Sequence, residues 1–267
     1  MQREYRGSAA PASRCPGGAC GALMYTAAPR GPRAMIYDPV HLSQRLLWGA
    51  AHLRRRDSGD TTRLDGMDEA GRERFFKRGS NQIDTLAARI EAQTGFTLES
   101  RTALDFGCGV GRNTLALAER CGYVYGLDVS PAVLREADRN AGLRNLKNVE
   151  WMDAGRLGEL HGRYDLVISF YVFQHIPTRE GERIIDTLVR GLRPGGAGAI
   201  HLTLPPKLRR LDRSYLYSRM NAYSLSRVGK VLADASVTEW HAKLHARPVP
   251  GTTERAYDEA TLIFRKD

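Results

Sequence analysis

Three glycines at alternate positions, Gly107, Gly109 and Gly111, close the apolar run Ala103-Leu-Asp-Phe106 and precede a helix-forming segment that begins at Arg112. Lacking Cβ atoms, they take dihedrals closed to other residues and let a ligand approach the backbone, so the stretch reads as a strand, a tight turn and a helix start around a cofactor. The dinucleotide fingerprint G-x-G-x-x-G would place its third glycine at position 112, where this chain has Arg112. A second buried-strand pattern, Tyr123-Val-Tyr-Gly-Leu-Asp128, ends in a carboxylate 23 residues beyond Asp105. An acid at that tip can accept both hydroxyls of a ribose. Asp153 follows the short apolar stretch Val149-Glu-Trp-Met152, within reach of an adenine amino group. Three strand tips thus offer one nucleoside-shaped site.

Two more segments follow in order, Tyr164-Asp-Leu-Val-Ile-Ser-Phe-Tyr-Val-Phe-Gln-His-Ile-Pro177 and Leu192-Arg-Pro-Gly-Gly196. With them the chain resembles the class I S-adenosylmethionine-dependent methyltransferase family over residues 75–267, most strongly over 103–204. The resemblance implies an α/β fold: a doubly wound, mainly parallel seven-stranded sheet of Rossmann-like type with an N-terminal helical extension. It implies S-adenosylmethionine as cofactor. Asp105, Gly107, Cys108, Gly109 and Gly111 would cradle the methionine part, Asp128 the ribose, Val129 and Asp153 the adenine, and Phe170 would complete the cofactor set.

Methyl transfer from a sulfonium is an in-line displacement in which alignment and desolvation do most of the work, so few side chains need be irreplaceable. The tip of the fourth strand of that pattern, Ser169–Ile176, lies where an acceptor should approach, and Tyr171 and His175 are the candidate catalytic residues there. His175 has the chemistry of a general base near neutral pH, or it shapes the wall. Phe170 and Phe173 otherwise read as packing. Arg78 and Gly79 sit where similar enzymes bring residues over the cofactor. His241 and His245 share a face of a strand but lack a third ligand, and read as satisfied or surface histidines.

The segment Lys207–Lys230 carries seven basic residues and one acid, with Tyr215, Tyr217 and Tyr223 interleaved. It is the candidate for a substrate-facing lid over an acidic small molecule or a nucleic acid, or else a solvated helix face. Two base-modifying chemistries lose weight. Amino methylation of DNA wants Asn or Asp before Pro-Pro-aromatic, where this chain has Ser169-Phe-Tyr-Val172, and cytosine carbon-5 methylation wants a Pro-Cys nucleophile, a dipeptide absent from the chain. The reading is a methyltransferase for a small-molecule acceptor, at oxygen or nitrogen. An RNA methyltransferase and a non-catalytic S-adenosylmethionine-binding protein are the alternatives.

Net charge is +10, of which the first 34 residues supply +4 through five arginines and one glutamate. The balance therefore decides nothing about partners. Four cysteines form no disulfide framework, and Cys108 and Cys121 read as free thiols. No apolar run approaches the ~20 residues a bilayer requires, so the expected location is cytoplasmic, without a membrane partner. Oligomeric state is not legible.

Residues 1–34, rich in Ala, Pro, Gly, Ser and Arg, read as a disordered tail, and the change of composition makes Met35 an alternative translation start. Residues 35–100 read as helices covering the cofactor site: one over 41–56, one ending near Lys77, and one capped by Ser80 and terminated by Gly95. Residues 101–267 read as the catalytic core with the basic lid at 205–230. Its strands are expected at 102–106, 123–127, 149–152, 164–169, 197–204, 236–245 and 258–265, with helices at 112–121, 131–141, 180–191 and 223–234.

Overall fold

The computed structural model describes residues 4–8, 64, 66–205, 220–248 and 255–267. The expected helix over 41–56 and the central part of the basic lid lie outside these residues. The elements are β1 (Glu4–Ser8), α1 (Glu69–Thr94), β2 (Thr102–Phe106), α2 (Arg112–Ala118), β3 (Tyr123–Asp128), α3 (Pro131–Leu143), β4 (Val149–Asp153) and β5 (Tyr164–Ser169). They continue with α4 (Thr178–Gly191), β6 (Leu192–Thr203), α5 (Leu225–Asp234), β7 (Glu239–Pro248) and β8 (Arg255–Arg265). Short 3-10 turns occupy Ala154–Leu160 and Phe173–His175.

One sheet has the order β1-β7-β8-β6-β5-β2-β3-β4. Strands β4, β3, β2, β5 and β6 run parallel, and β8, β7 and β1 join as antiparallel neighbours. All seven expected strands are present. The eighth, β1, falls inside the segment expected to be a disordered tail. It pairs from Glu4 with Lys243 to Ser8 with Glu239 on the outer edge of β7. Such an edge presents unpaired backbone groups, and backbone pairing needs no apolar pattern that a sequence reading could detect.

Both faces of the parallel strands are covered, which is why their sequences are continuously apolar and not alternating. Ala103, Leu166, Ile168, Ala197 and Ala199 meet Ile83, Leu86, Ile90 and Leu117 of α1 and α2. Leu104, Val167, Ile200 and Leu202 face the other way, toward Ile185 and Leu188 of α4 and Val228 and Leu232 of α5. From β2 the chain winds outward to β4 and then returns to β5 on the opposite side of β2. The carboxyl ends of β2 and β5 therefore flank a topological switch point, where open α/β sheets bind ligands.

Helix α1 corrects the reading of two helices meeting near Ser80. Asp68 is the true N-cap, its carboxylate accepting the Gly71 N–H at 2.7 Å, and the helix runs unbroken to Gly95, whose αL conformation (φ 69°) ends it. Ser80 lies inside, and its hydroxyl accepts from the Arg120 guanidinium at 2.8 Å. Gly79, which looked like a break, is a contact point: a Cβ there would run into the Arg112 carbonyl oxygen. The glycine lets α1 lie directly on the start of α2. Strand β6 also begins earlier than expected, at Leu192, because the Arg-Pro-Gly-Gly turn is absorbed as a bulge between the Tyr164–Leu192 and Leu166–Ala197 pairs.

Tyr223, expected in the lid, is a core residue. It is fully buried, donates its hydroxyl to the Ile176 carbonyl at 2.8 Å and packs edge-on against Phe173. Among the described residues no helix is long and apolar enough to cross a membrane. The Gly79 contact sets a test. Gly79→Ala, favourable by helix propensity alone, is expected to lower stability by about 1–3 kcal/mol, as overpacking does, in urea unfolding followed by circular dichroism.

Candidate active site

The turn between β2 and α2 is held by its backbone. Gly107, Gly109 and Gly111 all have positive φ (76°, 55° and 89°). The Gly107 and Cys108 N–H groups both donate to the Leu127 carbonyl, at 2.7 and 2.9 Å, which fastens the turn to β3. A side chain at Gly107 would collide with Val172, so the turn lies directly against the segment after β5. Cys108 is buried, and burial raises its thiol well above the ordinary value, so it packs and does not act as a nucleophile.

Asp105 is 2% exposed and accepts the Thr114 hydroxyl at 2.7 Å. Burial pushes its carboxyl up to about 7, against the opposing effects of Thr114 and the Arg112 charge. Asp128, at the tip of β3, accepts the Gly109 N–H at 3.1 Å and the Ser130 N–H at 2.9 Å. Burial raises this carboxyl too, and the backbone donors of Ser130, Gly109 and Val129 pull it back. Asp153 stands opposite Asp128 in the β3–β4 register and accepts the Gly155 N–H at 2.9 Å. The glycine turn, Asp128 with Val129, and Asp153 thus occupy adjacent strand tips. Trp151 lies across β3 at Gly126, where a Cβ would meet its ring at 2.5 Å.

After β5, Ser169 donates its hydroxyl to the Phe106 carbonyl at 2.9 Å, locking the tips of β5 and β2 together. Phe170 is partly buried against the α1-side core and stacks on His201 at 6.2 Å between centroids. Tyr171 has φ 62°, rare for a bulky side chain and a form of backbone strain that clusters at functional sites. It is 46% exposed. His175 closes the 3-10 turn, with its Nε2 3.3 Å from the Gln174 Nε2. The structure therefore brings Phe170 and Tyr171 together with the glycine turn through Val172, and leaves His175 one turn further along. Arg78 is exposed on α1.

A group that the sequence reading missed adjoins Tyr171. His201 of β6 is 2% exposed, its ring 4.4 Å from the Tyr171 ring, with its Nε2 3.5 Å from Glu259 Oε2. His245 of β7 lies 5.8 Å from His201, shares a 2.8 Å hydrogen bond with Thr261, and is held down to about 4 by burial and by His201. The signal was present in β6, where the alternate positions Ala197 and Ala199 give way to His201 and Thr203. Among the described residues no group of three or more histidines, cysteines or acids is arranged to hold a metal.

This geometry defines a Rossmann-like fold with a glycine turn and two strand-tip acids gathered beside its switch point. A methyltransferase-domain family model matches residues 103–196, from the start of β2 through the β6 bulge. Residues 103–196 are a methyltransferase domain of the class I S-adenosylmethionine-dependent kind, whose cofactor is S-adenosylmethionine. A protein of Chlorobaculum tepidum named as an uncharacterised RNA methyltransferase is 30% identical over 213 residues, covering 78% of this chain and 40% of that protein. A trans-aconitate 2-methyltransferase of Deinococcus radiodurans is 37% identical over 101 residues, 37% of this chain and 36% of that protein. The chain therefore spans well under half the length of these curated relatives. The fold matches magnesium protoporphyrin IX methyltransferase from Synechocystis, solved with bound S-adenosylhomocysteine, at a TM-score of 0.58 and 22% identity, covering 85% of this chain and all of that one.

The buried Asp105 makes a pH-dependent contribution of defined sign. Its folded value of about 7 lies above the ordinary 3.8, so folding favours the protonated acid. That contribution is complete below about pH 4, is lost as pH rises through about 7, and is flat above. Asp105→Asn keeps an acceptor for Thr114 and removes the charge. In the cofactor-free protein the melting temperature of the variant relative to the parent should rise between pH 4 and 7 and then level off, read by differential scanning fluorimetry.

Proposed function

We propose that this chain transfers a methyl group from S-adenosylmethionine to a small-molecule acceptor, at oxygen or nitrogen, in the cytoplasm. The observation that carries the reading is the alignment of the glycine turn, Asp128 and Asp153 on neighbouring strand tips at the switch point. A turn without Cβ atoms suits close approach of the methionine part, with Asp105 beneath it. Asp128 suits a ribose, because an acceptor-only carboxylate matches two hydroxyl donors. Val129 and Asp153 border the adenine, and Cys108 and Phe170 fill the floor.

When bound, the cofactor supplies a methyl group activated by a sulfonium charge. The chain's own part is alignment: the Ser169–Phe106 hydrogen bond and the Gly107–Val172 contact fix the acceptor-side segment relative to the cofactor turn. Tyr171 and His175 face acceptor chemistry in this reading. The second reading, an RNA acceptor, draws on the Chlorobaculum relative. Burial of Tyr223 removes one aromatic from the basic, stacking surface that it would use.

Calorimetric titration with S-adenosylhomocysteine tests the proposal. Micromolar binding is expected, weakened about ten- to a hundredfold by Asp128→Ala, the size of a lost charge-assisted hydrogen bond. Equal affinity in parent and variant would remove Asp128 from the site. An RNA acceptor would instead show itself as binding that falls steeply with salt, with a logarithmic slope growing with the number of phosphates contacted.

A further inference from the structure

On the α1 side of the sheet, Ala197, Ala199 and Ile263 pack under the helix, and the next positions on that face turn polar. His201 pairs with Thr261 in the β6–β8 register, Thr203 with Glu259, and Glu259 with His245 of β7. His201 and Thr203 are 2% and 4% exposed, yet among the described residues neither ring nitrogen of His201 nor the Thr203 hydroxyl makes a hydrogen bond, Nε2 standing 3.5 Å from Glu259 Oε2 as an ionic neighbour. A native fold leaves few buried polar groups unsatisfied, and two side by side indicate a place where a partner is supplied from outside. The strained Tyr171 lies on His201 and is the member of the group open to solvent. Through Val172 this cluster is continuous with the cofactor turn at Gly107.

Resting on the methyltransferase reading above, we infer that this cluster is the acceptor site and that His201, positioned by Glu259, is the general base that removes the proton of an aromatic hydroxyl. Rotation of the Tyr171 ring opens the site. The ring faces of Tyr171, Phe170 and His201 suit a planar acceptor. Glu259 orients one ring nitrogen, and the other takes the proton: the acceptor O–H bond breaks, the proton goes to the imidazole, and the electron pair stays on oxygen as the nucleophile. The adjacent carboxylate stabilises the imidazolium and disfavours a carboxylate acceptor. His175 is less suited, because its Nε2 is already engaged with Gln174.

Among the described residues, the titratable groups beside His201 are Tyr171 after β5, His245 on β7 and Glu259 on β8, while Arg112 of α2 acts on Tyr171 and Lys243 of β7 and Arg89 of α1 act on His245. His245 stays neutral through the physiological range because burial and His201 both oppose its charge, so it does not compete for the proton.

The test uses 4-nitrophenol as acceptor probe and 4-nitrobenzoate as carboxylate control, each titrated into the full chain saturated with S-adenosylhomocysteine. The absorbance of the bound probe reports its ionisation directly, without turnover. Bound nitrophenol is expected to appear as phenolate at a pH where the free probe is mostly protonated. His201→Asn should leave it protonated, and Glu259→Gln should move its ionisation midpoint up by about one pH unit, roughly tenfold, with Glu259→Asp in between. Unchanged S-adenosylhomocysteine affinity in each variant shows that the fold and cofactor site are intact. Nitrophenol bound as neutral phenol in the parent, a midpoint indifferent to either substitution, preference for nitrobenzoate, or no binding of either probe would overturn the inference. Failure of S-adenosylhomocysteine itself to bind would overturn the methyltransferase reading on which it rests.

Discussion

The turn after β2 runs so close to Val172, in the segment after β5, that no Cβ fits at Gly107, and the rest of the site depends on that approach. Its amides reach the Leu127 carbonyl on one side, and its backbone touches Val172 on the other. The same few residues therefore fix the distance from the β2 tip to the β3 tip and to the segment after β5. On the proposed function, those are the distances that separate cofactor from acceptor. Interior packing at crystal-like density makes such contacts stiff, and Val172, which makes the contact, is the chain neighbour of Tyr171.

Electrostatics follow from the same closeness. Asp105, one residue short of the end of β2, is buried, and Asp128, at the end of β3, is partly so, and burial raises both carboxyls. Three backbone donors oppose the rise at Asp128, whereas at Asp105 the opposition comes from the Thr114 hydroxyl and the Arg112 guanidinium. An acid poised near neutrality beneath a glycine turn suits a ligand that brings positive charge of its own, since the ligand then supplies the stabilisation that the protein withholds.

The parts of this arrangement that were legible in the sequence are the local ones. A parallel strand buried on both faces leaves an apolar run, a tight turn leaves its glycines, and a strand-tip acid follows its strand, so the strand positions along the chain, the turn and its neighbouring acids could be read directly. Gly79 could not, because a mid-helix glycine looks like a break until the neighbouring Arg112 carbonyl is seen. Strand β1 left no pattern because edge pairing is made by backbone groups. Tyr223 sat among basic residues and looked like part of a surface, and only the Ile176 carbonyl explains its burial. His201 was masked by its strand: β6 reads as apolar until its faces are separated.

Separating those faces shows how a structural element becomes a chemical one within a few residues. Along one side of β6, Ala197 and Ala199 are small because α1 lies over them, and their size is set by packing. One pleat further, the same face carries His201 and then Thr203, where small apolar side chains would fill the space without leaving polar atoms unpartnered. Burying such groups unpaired costs about 1–3 kcal/mol each, so packing alone gives no reason to keep them. The strain at Tyr171 lies beside the same pair. Two local costs borne at one place, next to the glycine turn, are what the inferred acceptor site accounts for and packing does not.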